Sequence, residues 1–319
     1  MAYFDVFNGD ADGICSLVQL RLAEPQQSTL VTGVKRDIKL LQKLEVQSSD
    51  HVTALDISME KNLAGLNKIL SEGATVFYAD HHQSGDIPKH KNLQALIDLA
   101  PNVCTALIVD RFLGHRFHLW AMTAAFGDNL LSTGLMLAEE ALLSEVQISQ
   151  LQTLGTLLNY NGYGSSVDDL FYHPADLFLA CVKYVSPFDF IIKESEIFST
   201  LQNGFANDIA LAKSTKPRYL SSAVALFELP DEKWARRVSG VWGNELANEF
   251  PDRAHLILTP VNSNNYMVSI RAPLSNRSGA DSVASQFTTG GGRAGAAGIN
   301  LLPESDISNL ILAMEKQYA

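Results

Sequence analysis

The run Ala74-Thr75-Val76-Phe77-Tyr78-Ala79 ends in Asp80-His81-His82. β-Branched and aromatic residues of this kind predict a strand. A carboxylate and two imidazoles at its exit put cation ligands at the carboxyl end of that strand, where open α/β sheets bind their ligands. Two other predicted strands end in similar chemistry. Tyr3-Phe4-Asp5-Val6-Phe7 leads into Asn8-Gly9-Asp10-Ala11-Asp12-Gly13, and His51-Val52-Thr53-Ala54-Leu55 leads into Asp56. An Asp after a strand can simply cap the next helix, and Asp12, ahead of a helix expected from about Gly13, is open to that reading. Three such exits in succession are harder to explain as unrelated caps. Together they predict a metal site assembled across a sheet.

The surrounding pattern alternates. Strands are predicted near 3–7, 28–33, 52–56 and 74–79, and helices near 13–23, 37–44 and 60–71. Strand–helix alternation with short turns implies a mostly parallel sheet covered on both faces. Residues 103–213 read as largely helical, punctuated by Gly114, Gly127, Gly155 and the turn-rich Asn159-Tyr160-Asn161-Gly162-Tyr163-Gly164. The composition shifts at Lys213-Ser214-Thr215-Lys216-Pro217-Arg218, which divides the chain into domains 1–213 and 214–319. Two domains are also the expectation for 319 residues. The second domain reads as strand 223–229, helix 232–249, a hairpin pair 254–261 and 266–272, a short helix 279–287, strand 299–302 and a terminal helix 306–318. The expected fold class is α/β: a mostly parallel sheet in the N-terminal domain, a smaller α/β C-terminal domain, and a cleft between them.

A net charge of −11 argues against a long duplex DNA footprint, which needs a broad basic face. No stretch of about 18 apolar residues suggests a membrane span, and the first residues lack the pattern of a signal peptide. Cys15, Cys104 and Cys181 are too widely spaced for a zinc pattern or a disulfide framework. They read as reduced, buried thiols of a cytoplasmic protein.

Asp10, Asp12, Asp56 and His81 offer carboxylates with an imidazole, a set that suits Mn²⁺ or another first-row dication better than Ca²⁺. Two such ions roughly 3.5–4 Å apart activate a water and clamp a phosphate during in-line attack. Gly9 and Gly13 would let a phosphate approach the backbone closely. Other features have plainer readings. Trp234 and Trp242 lie eight apart on a predicted helix and read as core rather than base-stacking residues. His115 and His118 read as surface or interhelical residues. Cys104 has no flanking base that would make it a nucleophile.

Asp10-Ala11-Asp12-Gly13, Asp56 and Asp80-His81-His82, followed by Ala124-Ala125-Phe126-Gly127-Asp128, resemble the successive motifs of the DHH phosphoesterase superfamily. That superfamily includes RecJ-type exonucleases, nano-RNases, cyclic-dinucleotide phosphodiesterases and exopolyphosphatases. Gly290-Gly291-Gly292-Arg293-Ala294-Gly295-Ala296-Ala297-Gly298 is similar to the Gly-rich loop of its companion C-terminal domain, and Val268-Ser269-Ile270-Arg271-Ala272 to the strand before that loop. The resemblance implies that Asp10 binds a first metal and Asp12 a second, with Asp56 bridging. It places His81 and Asp128 on the second metal, Asp80 as the acceptor that orients His81, and His82 near the scissile phosphate. It assigns the amides of Gly290, Gly291 and Gly292 to a phosphate-binding nest, and Arg271 and Arg293 to substrate phosphate.

Two departures matter. Asn8 stands where many members carry a metal-binding His, so a weaker first site or a changed metal preference is expected. Arg293 replaces the loop His, which favours an anionic substrate over proton transfer at that position. The expected activity is Mn²⁺- or Mg²⁺-dependent hydrolysis, through two-metal activated water, of short single-stranded oligonucleotides or small phosphorylated nucleotides. Exopolyphosphatase activity and a nucleotide-binding regulatory role with weak turnover are the alternatives. A homodimer is compatible with the apolar, helix-rich middle region.

Overall fold

The computed structural model describes residues 1–319. The chain divides into two compact units, Met1–Gly204 and Phe205–Ala319. This division falls within a continuous helix, Ser195–Ser214, and not in a linker. The segment 213–218 read as a linker is instead the end of that helix and the start of a strand, Pro217–Leu220.

The first unit begins with β1 (Tyr3–Phe7), α1 (Ala11–Ala23), β2 (Thr29–Val31), β3 (His51–Leu55), α2 (Met59–Ser71), β4 (Thr75–Asp80) and β5 (Leu93–Ile97). The five strands form one sheet in the order β2-β1-β3-β4-β5, parallel throughout. β5 was not anticipated, and the helix expected near 37–44 is only a single 3-10 turn at Leu41–Lys43. α1 is buried along nearly its whole length, from Ala11 to Leu20. It can be apolar on every side because the helices Thr105–Phe112, His118–Gly127 and Pro174–Cys181 pack around it as well as the sheet. On the other face of the sheet, α2 sets Leu66, Ile69 and Leu70 against Val52, Val76 and Tyr78.

Seven helices follow: α3 (Thr105–Phe112), α4 (His118–Gly127), α5 (Leu131–Glu140), α6 (Glu145–Asn161), α7 (Pro174–Cys181), α8 (Pro187–Lys193) and α9 (Ser195–Ser214). Gly114, at φ 63°, separates α3 from α4 as expected. Gly127 ends α4, as expected, whereas Gly155 lies in the middle of α6. A Cβ on Gly155 would come 2.2 Å from the Thr123 carbonyl oxygen and one on Gly127 2.7 Å from that of Gly155. The two glycines set the distance at which these helices cross. The predicted turn at 159–164 likewise starts inside α6, with Asn159, Tyr160 and Asn161 buried.

The second unit holds β6 (Pro217–Leu220), β7 (Val224–Glu228), α10 (Lys233–Glu249), β8 (Ala254–Asn262), β9 (Asn265–Arg271), α11 (Ala280–Ala284), β10 (Gly290–Arg293), β11 (Ala296–Pro303) and α12 (Ile307–Tyr318). Its sheet runs β10-β11-β9-β8-β7-β6, antiparallel except for β7 with β8. Trp242 of α10 is buried and packs edge-on to Phe227 at 4.7 Å, the core role expected of it. No helix of the protein is long and apolar enough to cross a membrane.

Candidate metal centre

The carboxyl ends of β1, β3 and β4 deliver the residues read from the sequence to one place. At the exit of β1, Asp10 is the N-cap of α1, its Oδ1 accepting from the amides of Asp12 and Gly13 at 3.0 and 3.1 Å. The capping role considered for Asp12 therefore belongs to Asp10. Asp12 sits in the first turn of α1 and spans to α3, accepting from Thr105 N and Ala106 N, both at 2.7 Å. Asp56 follows β3 in the left-handed region, at φ 56°, which aims its carboxylate back over the sheet. Its Oδ1 accepts from the Thr105 hydroxyl at 3.1 Å. Asp128 enters from the C-cap of α4.

His81 is the hub. Its Nδ1 bonds to the Val103 carbonyl at 3.0 Å, so that nitrogen carries the proton and Nε2 is left as a bare donor. Nε2 lies 3.8 Å from Asp12 Oδ2, 3.5 Å from Asp56 Oδ1 and 3.7 Å from Asp128 Oδ2. Ligands held about 2.1 Å from one dication sit roughly 3–3.5 Å apart. Asp12, His81 and Asp128 converge closely enough to share an ion, and so do Asp56, His81 and His82, two overlapping trios that meet at His81. The charge balance asks for one. Burial pushes the Asp56 carboxyl well above the usual carboxylate range, and Asp12, Asp10, Asp80 and Asp128 push it further. Asp128 is raised to about 6, chiefly by burial and by Asp12. The donor set thus fits a divalent cation.

Asp80 does not orient His81. Its Oδ1 accepts from His82 Nδ1 at 2.8 Å, while the backbone carbonyl of Val103 does the orienting expected of Asp80. The physical reason is strand alternation: Asp80, the last residue of β4, is fully buried, and the residue two further on returns to its face. His82 is held by this bond with its other ring nitrogen free, and its side chain is 45% exposed. Burial lowers its pKa, but the bond to Asp80 and the charges of Asp80, Asp12 and Asp10 outweigh that and raise it overall.

No motif or periodicity marks Lys35. It comes from the loop after β2, and its Nζ lies 2.6 Å from Asp10 Oδ2, 2.9 Å from Asn159 Oδ1 and 3.7 Å from Asp128 Oδ1. The loop is fastened on two sides. Lys35 N donates to Gly162 O at 2.8 Å, and a Cβ on Gly9 would fall 1.9 Å from Gly33 O. Burial disfavours the ammonium, but Asp10, Tyr163 and Asp128 more than compensate and raise its pKa far above the ordinary lysine value. The same lysine holds the Asp10 carboxyl below its ordinary value in spite of burial. Asn8 turns its side-chain NH₂ to the Lys35 carbonyl at 3.4 Å, leaving its buried Oδ1 without a partner.

In the second unit, Gly290–Arg293 is not a loop of convergent amides. It is the edge strand β10, paired antiparallel to β11 with Gly291 opposite Gly298. Gly290 and Gly292 serve packing: a Cβ on Gly290 would sit 1.8 Å from Ala284 O and one on Gly292 2.4 Å from Ala297 Cα. A cavity of about 400 Å³ is lined by Asn244, Asn248, Arg271, Arg277 and Arg293, among others. Arg271 is committed to its own unit through Asn244, Ser269 and Gly240. Arg277 and Arg293 are exposed. Arg277 was not anticipated, since it sits in the loop Ser275-Asn276-Arg277-Ser278 with no periodicity to mark it.

The remaining histidine pair clamps a carboxylate. His115 Nδ1 and His118 Nδ1 approach Asp110 Oδ2 at 2.7 and 2.6 Å, between α3 and α4. Cys104 is buried, and burial raises its thiol pKa well above normal, which leaves it inert as a nucleophile.

The fold is that of the DHH-domain proteins. A RecJ exonuclease bound to manganese superposes with a TM-score of 0.64 at 15% identity, covering 99% of this chain and 90% of its own. A DHH-domain protein described as a member of the s1p family of ribosomal proteins gives 0.62 at 13% identity, covering 99% and 86%. A pGpG-specific phosphodiesterase, PggH from Vibrio cholerae, gives 0.57 at 14% identity, covering 100% and 99%. Neither protein-family models nor curated proteins give a match to the sequence.

Proposed function

We propose that the protein is a dication-dependent phosphoesterase that hydrolyses short single-stranded oligonucleotides or linear dinucleotides, with Mn²⁺ or Mg²⁺ as its metal. The observation that carries this reading is the convergence of Asp12, Asp56, His81 and Asp128 at the carboxyl end of a parallel sheet. RecJ and the pGpG-specific phosphodiesterase share the fold and supply the substrate class.

A dication in this set lowers the pKa of a bound water and withdraws charge from a phosphoryl oxygen. The chain's own residues do the rest. The Val103 carbonyl fixes the His81 ring so that Nε2 faces the carboxylates. Asp80 fixes His82 through Nδ1, which leaves Nε2 of His82 to give a proton to the departing oxygen. In the second unit, Arg277 and Arg293 line a cavity that suits a phosphate group, a guanidinium fork being matched to two phosphate oxygens. Net charge −11 favours such small substrates over long duplex DNA.

The test is a parallel assay of a linear dinucleotide, RNA oligomers of a few nucleotides and inorganic polyphosphate, each with Mn²⁺ or Mg²⁺, read by product mass. Mononucleotide release is expected, and Asp56→Ala is expected to abolish it. Full activity in that variant would remove the metal centre from the reaction. Turnover of polyphosphate alone would shift the substrate class.

A further inference from the structure

The two donor trios at this centre both depend on His81, whose Nδ1 is committed to Val103, so they share one imidazole nitrogen and can hold one ion at a time through it. The clusters of Asp and His donors that converge closely enough to share an ion are Asp12 with His81 and Asp128, Asp56 with His81 and His82, and the separate Asp110 trio; none includes Asp10. Both oxygens of Asp10 are already engaged, Oδ1 by two helix amides and Oδ2 by the Lys35 ammonium. Asp128 divides its carboxylate in the same sense. Oδ2 faces His81 on the dication side, and Oδ1 faces Lys35 on the other. Asn8, whose position would supply a metal-binding imidazole, instead donates to the Lys35 carbonyl and so helps to hold the lysine's own backbone. The ammonium therefore occupies the place between Asp10 and Asp128 where a second ion would have to bind, and its charge repels one.

We infer that this centre takes a single divalent cation, and that Lys35 is the resident cation of the other position. The inference deepens the phosphoesterase reading and rests on it. An ammonium has three N–H donors. Asp10 and Asn159 take two of them, and the Lys35 side chain is 30% exposed. The third is left to meet a non-bridging oxygen of the substrate phosphate. Lys35 cannot make a water acidic as a metal does. It supplies fixed positive charge beside the phosphate, which places the activation of water on the single dication held through His81.

The experiment counts ions. Mn²⁺ bound per chain is measured by equilibrium dialysis with elemental analysis, and the EPR spectrum distinguishes an isolated ion from an exchange-coupled pair. The full-length wild type, Lys35→Arg, Lys35→Met and the double variant Asn8→His/Lys35→Ala are compared, with melting curves in chelator and in Mn²⁺ to show that each folds. Wild type and Lys35→Arg are expected to bind one ion with an uncoupled spectrum. The double variant, which frees Asp10 and restores an imidazole, is expected to bind two and to show coupling. Lys35→Met is expected to melt lower in chelator, because Asp10 loses its partner, and to recover on adding Mn²⁺. Two tightly bound ions in the wild type would overturn the inference. So would a folded double variant that still binds one, since Lys35 would then not be what fills the second place. No ion in any form would sink the metal-centre reading itself, a result distinct from either.

Discussion

Asp56 shows how single residues carry this centre. It is buried, it sits at positive φ, and four other carboxylates surround it. Its charge is therefore costly unless a cation is present. Asn is among the residues that best tolerate left-handed backbone, so Asp56→Asn removes the charge without disturbing the turn. In chelator that variant is expected to melt a few degrees above the wild type, as read by calorimetry. It is expected to lose the rise in Tm that Mn²⁺ gives the wild type. A lower Tm in chelator would mean that the carboxylate cluster is not strained without its ion. Asp10, Asp12, Asp56 and Asp80-His81-His82 were legible in the sequence because each follows directly on an apolar strand run, and the sheet does the converging. Lys35 and Asn159 were not. They lie 124 residues apart and meet only because a loop without any pattern folds over the end of α6. Nothing in the neighbourhood of either residue records that contact.

At the level of elements, the helices behind the sheet position Asp128. α4 ends in Gly127 and is capped by Asp128, and it crosses α6 where Gly155 touches the Thr123 carbonyl. A methyl group at Gly155 would be 2.2 Å from that oxygen, so the helices would have to part. Overpacking of this kind costs about 1–3 kcal/mol. Gly155→Ala is expected to lower the urea midpoint and to weaken Mn²⁺ binding measured by calorimetry. Thr156→Ala, one residue along on the exposed face, is expected to leave both unchanged. Equal Mn²⁺ affinity in the two variants would show that Asp128 is held independently of the crossing. The sequence reading placed most strands and helices because their periodicities are local. The role of Gly155 was not legible, because a glycine that allows close packing and a glycine that makes a turn look alike in one dimension. β5 and β6 went unread because short strands beside polar loops carry little alternation.

On the scale of the whole molecule, stability toward acid should be set partly by the unit that does not carry the metal centre. His255, in β8, is 1% exposed, and neither ring nitrogen has a partner. Burial, with help from Arg253, lowers its pKa to about 4. The unfolded chain then binds a proton that the folded chain refuses as pH falls from about 6.5 to about 4, so stability is lost across that window and not above it. The full effect is on the order of 3 kcal/mol. His255→Phe is expected to flatten the fall in Tm between pH 6.5 and 4.5 relative to the wild type, in buffers without metal. Parallel curves would show that the buried imidazole is not a source of acid sensitivity. The pairing of Lys35 with Asp10 is of another kind, a countercharge that the polypeptide makes for itself. A tethered ammonium cannot be stripped by a chelator or diluted away. In a cell short of divalent metal, such a chain would mature with one carboxylate of its acidic centre already neutralised from within.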